Sequence, residues 1–108
     1  MATAKEYYDY VMECLGRELN VTSCKMMGEY CLYFEGTLFG GIYDNRFLVK
    51  QTETSRRMLA GCQLEIPYEG SKSKMFLVEE FEDSEFVKML LSGMKKDLAK
   101  KIKVELFD

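Results

Sequence analysis

Lys25-Met-Met-Gly-Glu-Tyr-Cys-Leu-Tyr-Phe-Glu-Gly-Thr-Leu-Phe-Gly-Gly-Ile-Tyr-Asp-Asn-Arg-Phe-Leu-Val-Lys50 is the stretch that decides the fold. It is rich in Tyr, Phe, Leu, Ile and Val, the side chains that suit a half-buried pleated surface. Two dipeptides interrupt it, Glu35-Gly36 and Asp44-Asn45. Gly and Asn tolerate the positive φ that a two-residue connection between right-twisted strands demands. The stretch therefore reads as a three-strand meander over residues 25–35, 37–43 and 46–51. Gly40-Gly41 falls inside the middle strand. Glycine there marks a bulge or a close approach of another element, and a helix crossing that face is the expected cause.

Upstream, Thr3-Ala-Lys-Glu6 has the spacing of a capping box. Tyr7, Val11, Cys14, Leu15 and Leu19 then recur at helical spacing, so an amphipathic helix is expected to run to about Leu19. Downstream, Thr52-Glu-Thr-Ser offers N-cap oxygens to a short helix through Met58 and Leu59, stopped by Gly61. Two further strands are expected over residues 62–69 and 74–82, around a Gly-Ser-Lys-Ser turn. Pro67 cannot donate to a ladder, which places its strand at an edge or ends it there. Asp83-Ser84-Glu85 opens a last helix with the core stripe Val87, Leu90, Leu91, Met94, Leu98 and Ile102. The order α-β(3)-α-β(2)-α, with antiparallel hairpins, predicts an α+β two-layer sandwich whose helices pack mainly on one face of the sheet.

At 108 residues the chain has the size of one domain, expected over 1–108. Its 47% hydrophobic and 31% charged residues suit a globular core. The net charge of −3 gives no global positive field to hold a polyanion. Cys14, Cys24, Cys31 and Cys62 form no C-x-x-C pair, and no histidine completes a mixed zinc site. They read as small buried hydrophobes of a reducing, cytoplasmic environment. No secretory or membrane-spanning segment is evident, and no cofactor or metal is expected.

The absence of histidine removes the commonest general base and every Ser/Cys–His pairing. No nucleophile elbow or phosphate loop is present. The chain is therefore expected not to be an enzyme. The acidic run Glu79-Glu80-x-Glu82-Asp83-x-Glu85 lacks the spacing of a calcium loop and reads as solvated charge at a helix start.

Two clusters remain as candidate sites. Lys25 and Lys50 sit in strands that otherwise read apolar, with Glu29 and Tyr33 nearby in the meander. They either snorkel from the sheet and pair with Glu29 or Asp44, or mark a polar site or docking surface beside Gly40-Gly41. The second cluster is Lys95, Lys96, Lys100, Lys101 and Lys103 on the last helix. It contains no arginine, and Asp97, Glu105 and Asp108 dilute it. The balance is therefore against direct nucleic-acid binding, with an accessory role on nucleic acid as the alternative. Tyr30, Tyr33, Phe34, Phe39, Tyr43 and Phe47 are many aromatics for a sheet with helices on one face. Alternation would leave about half of them on the other face, so a homodimer is expected to cover them.

The element order and the residues of the meander resemble the N-terminal domain of the TfoX/Sxy family of bacterial competence regulators. The resemblance is carried by Lys25, Met26, Gly28, Tyr30, Leu32-Tyr33, Gly36, Phe39, Ile42, Asp44, Phe47 and Lys50, and loosely by Pro67 and Tyr68. Met27 stands where that family has Phe. The full regulators carry a further C-terminal domain for which 108 residues leave no room. The resemblance implies a cytoplasmic, dimeric domain that contacts a transcription-related protein rather than reading DNA by itself.

Overall fold

The computed structural model describes residues 3–16 and 19–107, with side chains described as far as Ala99. Its elements, in chain order, are α1 (Lys5–Gly16), β1 (Val21–Met26), β2 (Glu29–Phe34), β3 (Thr37–Ile42), β4 (Phe47–Val49), α2 (Glu53–Met58), β5 (Leu64–Glu65), β6 (Met75–Leu77) and α3 (Ser84–Phe107). The fold class is the expected one, an α+β layer of helices on an antiparallel sheet. The sheet order is β1-β2-β3-β4-β6-β5.

The meander holds one strand more than its sequence suggests. What reads as a single strand over residues 25–35 is two strands, folded back at Met27-Gly28. Met27 and Gly28 have φ of 52° and 84°, Glu35 and Gly36 49° and 86°, and Asp44 and Asn45 50° and 57°. Positive φ at both central residues is the two-residue turn whose twist matches the flanking strands. The last two were legible from Gly and Asn. The first was not, because a methionine in the left-handed region carries no turn signal.

The helices cover one face. Val11 and Leu15 of α1 and Val87, Leu90, Leu91 and Met94 of α3 are fully buried against Leu32, Ile42, Phe47 and Val49. The expected stripe of α3 holds as far as it is described; Ile102 lies outside the described side chains. Gly93 lets α3 approach α2, since a Cβ there would stand 2.5 Å from Thr54 Cγ2.

Helix ends follow the sequence in two cases and depart from it in one. Thr52 caps α2, with its Oγ1 accepting from Ser55 N at 3.2 Å and Ser55 Oγ accepting from Thr52 N at 2.7 Å. Asp83 Oδ1 accepts from Phe86 N at 3.2 Å at the start of α3. The capping box expected at Thr3-x-x-Glu6 does not form. Asn45 Oδ1 instead accepts from Ala4 N at 2.8 Å. Thr3 is occupied elsewhere, as shown below.

Gly40-Gly41 has a different cause from the one its sequence suggests. The β2–β3 register shifts between Leu32↔Gly40 and Tyr33↔Leu38, so Phe39 is the extra residue of a bulge. A Cβ on Gly40 would run into the Leu48 carbonyl, and one on Gly41 into the Tyr30 carbonyl and the Tyr43 ring. Neighbouring strands and a tyrosine make these contacts, rather than a crossing helix.

α1 is also pinned to the segment ahead of α3. Tyr10 packs edge-on against Phe81 at 5.6 Å, and hydrogen bonding to Glu82 pushes the Tyr10 phenol up to about 12. This value lies above the ordinary 10.0. The contact therefore contributes stability below the unfolded value and loses it as pH rises through about 12. Replacing Glu82 by Gln is expected to bring the Tyr10 midpoint down toward the ordinary value in an NMR titration of the ring signals. An unchanged midpoint would contradict the pairing.

Candidate functional site

The four meander residues do not form one cluster. Lys25 is exposed on β1 and pairs in register with Tyr30. Tyr30 stacks on Tyr8 of α1 at 3.9 Å, so this register position belongs to the helix-side face. Glu29 and Tyr33 alternate onto the opposite, far face, where Tyr33 stands between Thr22 and Leu38. Lys50 follows β4 and is half-buried. Glu29 and Lys50 line one groove together, and Lys25 and Tyr33 lie away from it.

Glu29 is a clasp. Its Oε1 accepts from Thr3 N at 2.9 Å and Thr3 Oγ1 at 2.7 Å, and its Oε2 accepts from Asp44 N at 2.9 Å. Asn45 N donates to Thr3 Oγ1 at 3.2 Å. One carboxylate thus ties the segment ahead of α1 to the start of β2 and the β3–β4 turn. With three of its about four lone-pair sites taken by backbone and hydroxyl donors, Glu29 serves the structure first.

The far face is not the bare aromatic surface expected from alternation. Phe34, Phe39 and Phe47 are buried in the core, and Tyr30 meets α1. Only Tyr33 and Tyr43 of the six aromatics stand on the far face. Leu48 also faces that side by its register with Gly41 and Leu77, yet it is fully buried. The connection between β5 and β6 lies on this side, where Arg46 holds it. The Arg46 guanidinium donates to Glu65 Oε1 at 2.6 Å, Ile66 O at 3.1 Å and Pro67 O at 3.2 Å. Both partners of the Arg46–Glu65 pair are largely shielded from solvent. Tyr68 is thereby brought against Tyr43, with ring centres 6.1 Å apart. Burial, together with contact to the Cys31 thiol, raises the Tyr43 phenol well above its ordinary value.

What remains open is a groove of about 2060 Å³. Met26, Met27, Glu29, Cys31 and Tyr43 line one part of it, Pro67 and Tyr68 with Ser71–Met75 another, and Lys50–Glu53 and Arg56 with Asp97 and Leu98 of α3 a third, so it runs from the far face round to the helix layer. Small-molecule pockets measure roughly 300–1,000 Å³, so this space exceeds one. Met27 is 98% exposed at a strained turn, Met26 56% and Tyr68 59%. Exposed methionine and tyrosine beside an open groove are features of surfaces that adapt to protein partners. The sequence reading missed Arg46, Met27 and Tyr68 because the loop that unites them is placed by tertiary contacts.

The basic cluster is partly spent. Lys95 pairs with Glu35 of the β2–β3 turn at 2.8 Å. Lys96 is exposed, and Lys100, Lys101 and Lys103 lie outside the residues whose side chains are described. The cysteines also differ from expectation. Cys31 is buried, Cys14 partly so, and Cys24 and Cys62 are exposed.

No family model matches the chain. It is similar to an uncharacterized 12.7 kDa protein in the trpE 5′ region of Spirochaeta aurantia, with 36% identity over 72 residues. The match takes in 67% of this chain and 63% of the relative, so the chain spans less than two thirds of that protein's length. The relative's name carries a size and a genetic location and no activity. No helix among the described residues is long and apolar enough to cross a membrane.

Proposed function

We propose that the protein is a non-enzymatic protein-contact domain, resembling the N-terminal half of the TfoX/Sxy competence regulators, and that it binds its partner in this groove. The observation that carries this reading is the groove itself, too large for one small ligand and flanked by exposed Met26, Met27 and Tyr68. The resemblance supplies the class of partner, a transcription-related protein of a bacterial cytoplasm. A homodimer belongs to the same reading. The edge of β1, which is hydrogen-bonded within the sheet on one side only, supports it.

Affinity capture from a bacterial lysate, with wild type and Met27→Glu in parallel, tests the groove. A transcription-related protein retained by wild type and lost with the variant is the expected result. Equal retention by both overturns the groove as the contact surface. Retention of nucleic acid in place of protein, falling steeply with added salt, favours the alternative of a nucleic-acid accessory protein. Light scattering that gives a strict monomer at micromolar concentration removes the homodimer.

A further inference from the structure

Cys24 and Cys31 face each other directly across the β1–β2 ladder. Directly opposed residues of a sheet project to the same side, so both thiols stand on the far face. Met26↔Glu29 closes the hairpin, and Cys24↔Cys31 lies two residues further along. This places the cysteines in the hydrogen-bonded class of pairs, whose Cα atoms are about 5.5 Å apart. Disulfides have their commonest Cα separation at about 5.5–6 Å. Both thiols are free. From this geometry we propose that Cys24 and Cys31 form a reversible dithiol–disulfide site, oxidised by a small-molecule disulfide of the glutathione class.

The two thiols are unequal in a way that gives each a role. Cys24 is exposed on the edge strand and open to attack on an incoming disulfide. Cys31 is buried behind it, against the Tyr43 phenol. In the first step the Cys24 thiolate attacks one sulfur of the external disulfide; a protein–glutathione S–S bond forms and one glutathione thiolate leaves. In the second, Cys31 loses its proton and attacks the Cys24 sulfur; the intramolecular S–S bond forms and the second glutathione thiolate leaves. The two protein thiols are oxidised and the external disulfide is reduced to two thiols, which take up the two protons. Excess thiol runs the sequence backwards.

The same geometry makes the bond reversible rather than permanent. Opposed Cβ atoms in a sheet are about 4.5–5.5 Å apart, whereas a disulfide brings them to about 3.5–4.5 Å. The strands must draw together by about 1 Å, and strained disulfides are the more easily reduced ones. An edge strand held on one side can make that shift. Cys14, on α1, and Cys62, between α2 and β5, lie outside this ladder. The inference concerns the chain's own thiols and does not depend on the proposed contact function.

The reduced, full-length protein incubated with oxidised glutathione tests the site by mass spectrometry. Trypsin cleaves after Lys25, so Cys24 and Cys31 fall in separate peptides, 18–25 and 26–46, and Cys14 and Cys62 in two others. Wild type is expected to lose the mass of two hydrogens, with those two peptides linked and the link reversed by dithiothreitol. Cys31→Ser is expected to keep glutathione on Cys24. Cys24→Ser, which leaves the buried cysteine in place, is expected to take up no adduct at position 31. Persistent glutathionylation of wild-type Cys24 beside a free Cys31, or a link from Cys24 to Cys14, Cys62 or a second copy, would overturn the proposal.

Discussion

Gly40→Ala is expected to cost roughly 3 kcal/mol of stability or more, the upper end of what overpacking does. The methyl group would be driven into the Leu48 carbonyl, with Val49 Cα at 2.9 Å and the Leu48 carbonyl carbon at 3.1 Å. All three are backbone atoms of β4, so no rotamer change relieves them. The bulge at Phe39 is the reason, because it turns β3 until the Gly40 Cβ direction points along the sheet instead of out of it. Gly36→Ala provides the comparison. Nothing lies within 4 Å of a Cβ there, and only the φ of +86° opposes a side chain. That substitution is expected to cost about 1–2 kcal/mol. Urea denaturation of both variants should give a clearly larger loss at position 40. Equal losses would mean that β3 and β4 do not approach as closely as described.

The contrast between these glycines shows what was legible in the sequence. Gly36 belongs to a turn, and turn chemistry is local: Glu35-Gly36 and Asp44-Asn45 could be located from their own residues. So could the stripe Val87, Leu90, Leu91 and Met94, because helical periodicity is written in consecutive residues. Gly40 is legible only as an anomaly. Its cause is the backbone of a strand eight residues further on, in a register that the sequence does not state. Met27 is a harder case, since its side chain gives no reason for a left-handed turn, and the strand preceding it was hidden as a result. Thr3 shows the same limit. Its spacing to Glu6 fits a capping box, but a distant carboxylate competes for the hydroxyl and wins.

The candidate site was less legible than the fold, for a related reason. Lys25, Glu29, Tyr33 and Lys50 were singled out as polar residues in an apolar stretch, yet alternation sends Lys25 to one face and Glu29 and Tyr33 to the other. The groove owes its form to the segment from Ile66 to Lys74, whose position depends on Arg46 reaching Glu65 and two carbonyls. Gln51 adds a second anchor by donating to Lys74 O at 3.0 Å. Side chains of the β3–β4 turn and the β4–α2 junction thus hold a loop that follows in sequence, and no local pattern announces such a clamp. The aromatics illustrate the consequence. A count of rings suggested an apolar far face, whereas the bulge at Phe39 turns that ring into the core and Tyr43 lies over glycine.

Glu29→Ala is expected to lose about 2–4 kcal/mol, because three hydrogen bonds to a charged acceptor disappear together, leaving Thr3 N and Oγ1 to donate only through their longer bonds to Gly28 O at 3.3 Å and Ile42 O at 3.5 Å. Glu29→Gln separates the two halves of the clasp. A glutamine keeps one acceptor oxygen, and the orientation that serves both Thr3 donors turns its amide NH₂ toward the Asp44 N–H. Donor then faces donor, and the bond to the β3–β4 turn is lost while the bonds to Thr3 survive. The glutamine variant should therefore lose less stability than the alanine variant. Amide hydrogen exchange gives the sharper reading. Asp44 is expected to exchange faster in both variants, and Thr3 faster in the alanine variant alone. If Asp44 stays protected in Glu29→Gln, the carboxylate is not what fixes the turn, and the Asn45 bonds to Thr3 and Ala4 would have to carry the junction between α1 and the meander.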